Sequence, residues 1–182
     1  MARLPYVDLD ALPAEVREQV APFAHLNVAR MLGHLDGAFG PWHETIAAIL
    51  TASDLPPALR EVAILRVSYL LRCEYEHAGH VVMGRRAGLT EDQIATLSTD
   101  APDPGVLGPD ATAVSTLVDQ LRGTGSVDDD AFAAVHAVLG DGGTVKLIAA
   151  IGLWTSVGYV LNATRVELDT GETRGVDLGW SR

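Results

Sequence analysis

The sequence predicts an all-helical protein. Apolar residues recur at spacings of three and four along most of the chain, helix-capping residues stand at the ends of these stretches, and no alternating pattern is long enough to build a sheet. The 182 residues suit a single domain, and 48% of them are hydrophobic while only 5% are aromatic. We therefore expect a single-domain helical bundle with a core made mainly of Ala, Val, Leu and Ile.

Three short helices are predicted in the first fifty residues. Pro13 precedes AEVREQVA and suits the first turn of a helix. A second helix is expected over residues 25–33 and a third over residues 41–50. The sequence SDLPP at residues 53–57 ends one helix and begins another, because the residue before a proline disfavours helical geometry.

Residues 57–87 carry the strongest helical pattern. Two sets of apolar residues repeat there at helical spacing: Val62, Leu65 and Tyr69, and Ile64, Val67 and Leu71. The pattern continues past Cys73, with a bend expected near Arg72. Gly88 stands where the C-terminal cap of a helix belongs, so the helical segment should end there.

The rest of the chain is predicted to contain one loop and several helices. Thr90 begins TEDQ, a capping-box pattern that predicts a short helix to residue 97. Residues 98–109 contain three prolines and two glycines and are expected to form a loop. Further helices are predicted over residues 110–121, 128–139 and 144–162. The last is apolar but interrupted by polar residues, so we expect it in the core or at a subunit contact and not across a membrane.

The composition limits the partners and the location that we expect. The formal net charge is -11 and there is no basic stripe, so neither a nucleic acid nor an anionic membrane surface is an expected partner. Cys73 is the only cysteine, which excludes an intramolecular disulfide and fits a reducing cytoplasm. The N-terminus lacks the long apolar core of a signal peptide. We expect a cytoplasmic protein that binds a small molecule.

The segment RCEYEHAGH at residues 72–80 concentrates side chains that can carry chemistry. On one helix, four of them fall within an arc of about 100°: Cys73, Glu76, His77 and His80. Glu61 lies on the preceding helical segment and can approach this face if the chain bends near Arg72. A carboxylate beside an imidazole can hold and deliver a proton near neutral pH, which predicts acid–base chemistry.

Two other interpretations fit the same residues. A Glu and a His four positions apart are common on a solvated helix face, although the apolar residues around Glu76 and His80 favour burial. A di-iron site of the Glu-x-x-His type needs two copies of the motif, and only Glu74 with His77 supplies one. We therefore do not expect a metal.

The chain resembles the carboxymuconolactone decarboxylase and alkylhydroperoxidase D-like superfamily in two stretches. They are LPPALREVAILRVSYLLRCEYEHAGHVVMGRRAGLTEDQI and LIAAIGLWTSVGYVLNA. The resemblance implies the all-helical alkylhydroperoxidase D-like fold and a homo-oligomer, as a trimer, a hexamer or a dimer, with active sites near subunit contacts. It implies an N-terminal helical extension at residues 1–40 and the family domain at residues 41–165. Residues 166–182 are polar and contain glycine, so we expect them to form a C-terminal arm.

The peroxidase branch of this superfamily carries a Cys-x-x-Cys motif with a Glu before it and a His after it. Glu61, Cys73 and His80 match three of these four positions. Glu76 stands in place of the second Cys, and Tyr75 replaces a His that normally precedes it. A carboxylate cannot resolve a disulfide, so a two-cysteine redox cycle is not expected.

The decarboxylase branch lacks the redox pair, and the resemblance to it implies a cofactor-independent lyase or isomerase. Its substrate would be a small lactone or a carboxylated ring compound. In this interpretation His80 is the general acid or base, and Glu76 orients and polarises it. Glu61 is a second carboxylate in the pocket, and Cys73 lines the site.

Several side chains outside the motif have two interpretations. Arg66 or Arg72 could bind a substrate carboxylate, or serve only as a structural or surface charge. Four residues of the first helices could close the pocket or simply pack: His34, Phe39, Trp42 and His43. Two other functions stay open on the same scaffold, namely a single-cysteine peroxidase or redox sensor that uses Cys73, and a non-catalytic binding or assembly protein.

Overall fold

The structure is a computed structural model that describes residues 1–169. All regular secondary structure in this part of the chain is helical, which confirms the predicted all-helical class. The helices are α1 Ala14–Val20, α2 Asn27–Leu32, α3 Phe39–Leu50, α4 Pro57–Leu70, α5 Glu74–Arg86, α6 Glu91–Leu97, α7 Pro104–Leu107, α8 Pro109–Thr124 and α9 Asp129–Thr164. Short 3-10 turns lie at Leu9–Ala11, Ala21–Phe23 and Gly33–Ala38.

The N-terminal region folds around a small core of its own. Helix α1 begins after Pro13, and α2 lies within the predicted second helix. Helix α3 begins two residues before the predicted start, because the 3-10 turn at Gly33–Ala38 leads directly into it. The buried residues of this core are Val7, Val16, Val20, Ala29, Leu32 and Phe39. The region predicted as an extension therefore packs as part of the protein, while its boundary as a domain stays a prediction.

Helix α4 is the central helix of the protein. It packs against α5, α6, α8 and α9, and an unbroken run from Arg60 to Ser68 is buried. Burial on every face of the helix places α4 in the core of the protein. Five of its apolar residues are at most 1% exposed: Val62, Ala63, Ile64, Leu65 and Val67.

The predicted bend near Arg72 is a complete break between two helices. Arg72 has a φ of 50°, in the left-handed region, and α5 begins only at Glu74. The backbone N–H of Cys73 donates to the carbonyl of Ser68 at 2.9 Å, which closes the end of α4. As a result, α5 packs back along α4 as the second arm of a helical hairpin.

The second half of the chain follows the predicted pattern with two differences. The capping box at Thr90 and Gln93 is present at the start of α6. The predicted loop contains the single-turn helix α7, which Asp103 caps by accepting a hydrogen bond from the N–H of Gly105. The two helices predicted at residues 128–139 and 144–162 form one long element, with a break in helical geometry at Gly140.

Judged by length and composition alone, helix α9 could cross a membrane. The core helix of a soluble protein meets the same criteria. It packs against α4 and α8 through buried residues such as Leu147 and Trp154. Val145 and Tyr159, on its exposed side, are 66% and 55% exposed. Self-association and a cytoplasmic location stay predictions.

Arg66 has a structural role, which removes it as a candidate for binding a substrate carboxylate. It is 2% exposed, and its guanidinium makes two hydrogen bonds to the carboxylate of Asp119, at 2.6 and 3.1 Å. Its remaining N–H groups donate to three carbonyls at the end of α6, those of Leu97, Thr99 and Asp100. The side chain thus joins α4, α8 and the loop after α6.

We expect Arg66→Ala to lower the free energy of unfolding by about 3 kcal/mol, because the substitution leaves buried carbonyls without a donor. Arg85→Ala is the control, since Arg85 pairs with Glu91 on the surface, where the two side chains are 44% and 65% exposed. Its effect should stay within about 1 kcal/mol. Urea denaturation of both variants measures the difference, and equal losses would contradict the structural role of Arg66.

Candidate functional site

A cavity of about 270 Å³ lies between the N-terminal region, α3, α5 and α9. Much of its wall is apolar and comes from the first fifty residues: Phe23, Leu26, Val28, Ala29, Leu32, Leu35, Phe39, Trp42, Ile46 and Leu50. Five lining side chains bring ionisable groups: His43, Tyr75, Glu76, His80 and Asp169. A mostly apolar concave space with a few polar groups is the usual form of a small-molecule site.

His80 is the centre of the polar part of the wall. It lies on α5, is 7% exposed, and its Nδ1 is 2.7 Å from Oε2 of Glu61. Because an ionised carboxylate can only accept, the proton of this hydrogen bond belongs to Nδ1. On the other side of the ring, Nε2 is 2.8 Å from the indole nitrogen of Trp154 and 3.5 Å from Oε2 of Glu76.

Glu61 holds His80 from behind and does not line the cavity. It is 0% exposed in the middle of α4, where an uncompensated charge would be costly. Nε of Arg60 donates to its Oε1 at 3.1 Å, and another N–H of Arg60 donates to the carbonyl of Leu50 at 2.7 Å. Glu61 is therefore a paired, desolvated carboxylate whose second oxygen fixes the orientation of the imidazole.

The two neighbours of Nε2 favour different protonation states of His80. The Trp154 indole N–H can only donate, so it bonds to Nε2 when that nitrogen has no proton, whereas the Glu76 carboxylate accepts a proton from it. Burial lowers the pKa of His80, but the hydrogen bonds and negative charges of Glu61 and Glu76 outweigh burial and raise the pKa to about 9. The raised pKa favours the positively charged ring at neutral pH, whereas the hydrogen bond from Trp154 belongs to the neutral ring, so Nε2 of His80 can hold or release a proton beside the Glu76 carboxylate.

Cys73 does not share the cavity with His80, which corrects the predicted common helix face. Because Arg72 adopts left-handed geometry, Cys73 precedes the first turn of α5 and has extended backbone angles. Its side chain is 1% exposed. It packs in a separate apolar cluster with Met31, Val157, Leu161 and Val166.

His77 also points away from the cavity. Its Nε2 lies 2.9 Å from the hydroxyl oxygen of Ser98, on the side of α5 that faces α6. Burial lowers the pKa of His77 to about 4, and the positive charge of His80 adds to this effect. Among residues 1–169, no three His, Cys, Asp or Glu side chains form a group that could hold a metal ion.

The structure also decides which of the other candidates reach the cavity. Phe39, Trp42 and His43 line it, and the His43 ring packs against the rings of Phe23 and Phe39. His34 does not line it and instead contacts the carbonyl of Pro5 at 2.8 Å. Arg72 is exposed and does not line the cavity.

Asp169 and Trp154 are site residues that the sequence analysis did not identify. Asp169 lies in the segment predicted to be an arm, yet its carboxylate accepts hydrogen bonds from the backbone N–H of Asn27, at 2.7 Å, and from the hydroxyl of Tyr75. Burial and the hydrogen bond to Asp169 raise the pKa of Tyr75. Residues 166–169 thus lie against the same chain, while the rest of the predicted arm lies outside the described residues.

The helical arrangement defines the class of protein, an alkylhydroperoxidase D-like helical fold. A protein from Ralstonia eutropha JMP134, described as an alkylhydroperoxidase AhpD core and an uncharacterized peroxidase-related protein, has a TM-score of 0.78 at 18% identity, over 95% of this chain and 94% of that one. A protein of unknown function from Agrobacterium tumefaciens, suggested to be the antioxidant defence protein AhpD, has a TM-score of 0.65 at 24% identity, over 74% of this chain and 92% of that one.

Residues 38–117 match the model of the carboxymuconolactone decarboxylase family, the family that the resemblance implied for this segment. No curated protein matches the chain. The family segment contains Glu61, Glu76 and His80, while other parts of the cavity wall lie before and after it.

The protonation of His80 predicts how stability depends on pH. Since its pKa rises on folding from an ordinary value of 6.5 to about 9, its contribution is complete below pH 6.5 and is lost as the pH rises through 9. A rise of this size corresponds to about 3 kcal/mol at most. Denaturant unfolding of the wild type and His80→Asn between pH 6 and 10 measures the effect, and equal slopes in the two proteins would contradict it.

Proposed function

We propose that the protein is an acid–base enzyme, a lyase or isomerase that moves a proton on a small ring compound and needs no cofactor for this step. One observation carries the proposal: His80 lies between the carboxylates of Glu61 and Glu76 at the wall of an apolar cavity. The match of residues 38–117 to the carboxymuconolactone decarboxylase family supports an enzymatic role. A cavity of this size beside the polar cluster also disfavours a purely structural role for the scaffold.

The roles of the two carboxylates follow from their positions. Glu76 and His80 both line the cavity, so both can touch a bound molecule, whereas Glu61 is fully buried behind the imidazole. We therefore assign orientation of His80 to Glu61, and proton exchange with the substrate to Glu76 and His80. This exchanges the roles that the sequence suggested for Glu61 and Glu76.

Glu76 and His80 together can both give a proton to a substrate and take one from it. His80 holds a proton and can donate it to a substrate oxygen or carbon, while the Glu76 carboxylate can remove a proton from carbon. The groups are 3.5 Å apart, so one substrate can contact both of them. After a turnover, a proton on Glu76 can return to Nε2 of His80, and Trp154 can stabilise the nitrogen while it is unprotonated.

The single-cysteine alternative is less consistent with the geometry. A peroxidatic thiolate must meet its oxidant, and reactive cysteines are partly exposed in an electropositive environment. Cys73 is 1% exposed, lies in an apolar cluster and does not line the large cavity.

Turnover of small lactones and carboxylated ring acids, followed by ultraviolet absorbance and CO2 release, tests the acid–base proposal. His80→Ala and Glu76→Gln should each lower kcat/KM by about 100-fold or more, since each removes a proton-transfer group. Glu74→Gln is the matched control on α5, because Glu74 is exposed and does not line the cavity. Unchanged turnover of every accepted substrate in His80→Ala would refute the proposal.

Alkylation of Cys73 tests the cysteine alternative separately. We expect the thiol of the folded protein to react with iodoacetamide at least about 100-fold more slowly than the thiol of the urea-unfolded protein, because it is buried in apolar surroundings. Mass spectrometry gives the extent of modification over time. Fast alkylation of the folded protein, together with peroxide consumption that Cys73→Ser abolishes, would instead establish the peroxidase.

A further inference from the structure

We infer that the cavity binds a largely apolar compound with two rings, which lies against the backbone of α5 at Gly79, and that Gly79 is a specificity-determining residue. The inference deepens the proposed function, on which it rests for the reaction, by naming the size and shape of the substrate. Because it concerns only how a molecule fits the cavity, it can be tested by binding alone.

Gly79 stands in the middle of α5, between the two reactive residues. It follows Glu76 by three positions, precedes His80 directly, and lines the cavity. Glycine in the interior of a helix is destabilising relative to alanine, so its presence there needs a packing or functional reason. The backbone supplies none, because Gly79 lies within regular helix and has no positive φ.

Packing within the protein does not require glycine at this position either. On Gly84, further along α5, a Cβ atom would lie 3.2 Å from the side chain of Leu89 and 3.3 Å from that of Leu65. On Gly79, by contrast, a Cβ atom would meet no atom of residues 1–169 within 4 Å, apart from its chain neighbours and the backbone of its own helix. Since Gly79 lines the cavity, this open space belongs to the cavity. The glycine therefore lets a ligand approach the backbone of α5 closely.

The volume of the cavity fits a molecule with two rings. An apolar cavity of roughly 150 Å³ accommodates benzene. This cavity has about 270 Å³, so a single small ring would leave much of it empty. Phe39 and Trp42 also line it, and aromatic walls favour a flat ligand. Because Gly79 adds no side chain, the second ring of such a ligand can occupy the space beside α5.

The neighbours of Gly79 on the helix surface give the ligand an orientation. Glu76 lies three residues before Gly79 and Met83 four residues after it, so all three share one face of α5, and all three line the cavity. A ring over Gly79 therefore has a carboxylate toward one end and the apolar side chain of Met83 toward the other. A carbonyl group at the polar end can accept a hydrogen bond from the protonated Nε2 of His80. The expected ligand is thus a flat two-ring compound with its carbonyl group at one end.

Binding of coumarin and 2-pyrone tests the size selectivity, because coumarin is the same unsaturated lactone ring with a benzene ring fused to it. Isothermal titration calorimetry at pH 7.5 should show coumarin binding about tenfold tighter or more, since the second ring buries additional apolar surface. Equal affinities, tighter binding of 2-pyrone, or no binding of coumarin would overturn the inference. Since the experiment measures binding, its outcome is distinguishable from that of the turnover assay with His80→Ala.

Substitutions of Gly79 test whether the second ring lies beside α5. Gly79→Ala should raise Tm by about 2 to 4 °C, because alanine favours the helix, and yet weaken coumarin binding several-fold. Gly79→Leu fills more of the space, so it should weaken coumarin binding at least about tenfold more than 2-pyrone binding, while thermal unfolding stays cooperative. Gly123→Ala is the control, since Gly123 is exposed on α8 and does not line the cavity, and it should leave both affinities unchanged.

The Tm of Gly79→Ala separates a role in binding from a role in packing. A lower Tm with unchanged coumarin binding would show that Gly79 serves packing, and would refute its role in specificity. Equal losses of affinity for coumarin and 2-pyrone in Gly79→Leu would likewise overturn the placement of the second ring.

Discussion

The buried carboxylate of Glu61 is the constraint on which the rest of the site depends. A charge with no exposure, in the middle of the central helix, needs compensation, and Arg60 and His80 supply it from two sides. Because His80 belongs to α5, its hydrogen bond to Glu61 also fixes how α5 packs on α4. Arg60 extends the same network to the carbonyl of Leu50 at the end of α3, the helix that forms another wall of the cavity. One desolvated group thus joins the central helix, the helix of the site and the cavity wall.

The apolar cavity and the polar network depend on each other. Water would weaken the hydrogen bonds of His80 and its electrostatic interaction with the carboxylates of Glu61 and Glu76. The aromatic and aliphatic walls limit access of water and so strengthen these interactions. Glu76 and Nε2 of His80 are close enough to share one proton. When the proton is on Glu76, the indole N–H of Trp154 can donate a hydrogen bond to Nε2. In a more open pocket, the same three side chains would behave more like an ordinary surface ion pair.

Local patterns in the sequence were sufficient for most of the fold and for the centre of the site. Gly88, the capping box at Thr90 and the apolar spacing of α4 act within a few residues, and the structure keeps them. The sequence also placed Glu61 near the face of α5 that carries His80, but it assigned the orientation of His80 to Glu76, and only the structure shows that Glu61 makes the shorter contact. The left-handed conformation of Arg72 did not follow from the sequence, because a non-glycine residue gives no local signal for it, and the position of Cys73 changed with it. Asp169 meets Asn27 across 142 positions of the chain, a contact that only tertiary packing determines.

Only part of the cavity wall lies in the segment that matches the family model. Its reactive groups lie within residues 38–117, but Phe23 and Leu26 precede this segment, and Trp154, Leu168 and Asp169 follow it. Substitutions in these flanking walls can change the accepted molecule while the matched segment stays the same. Two chains that share the reactive motif can therefore differ in substrate preference through their outer segments alone. These segments should be compared before a substrate of one relative is assigned to another.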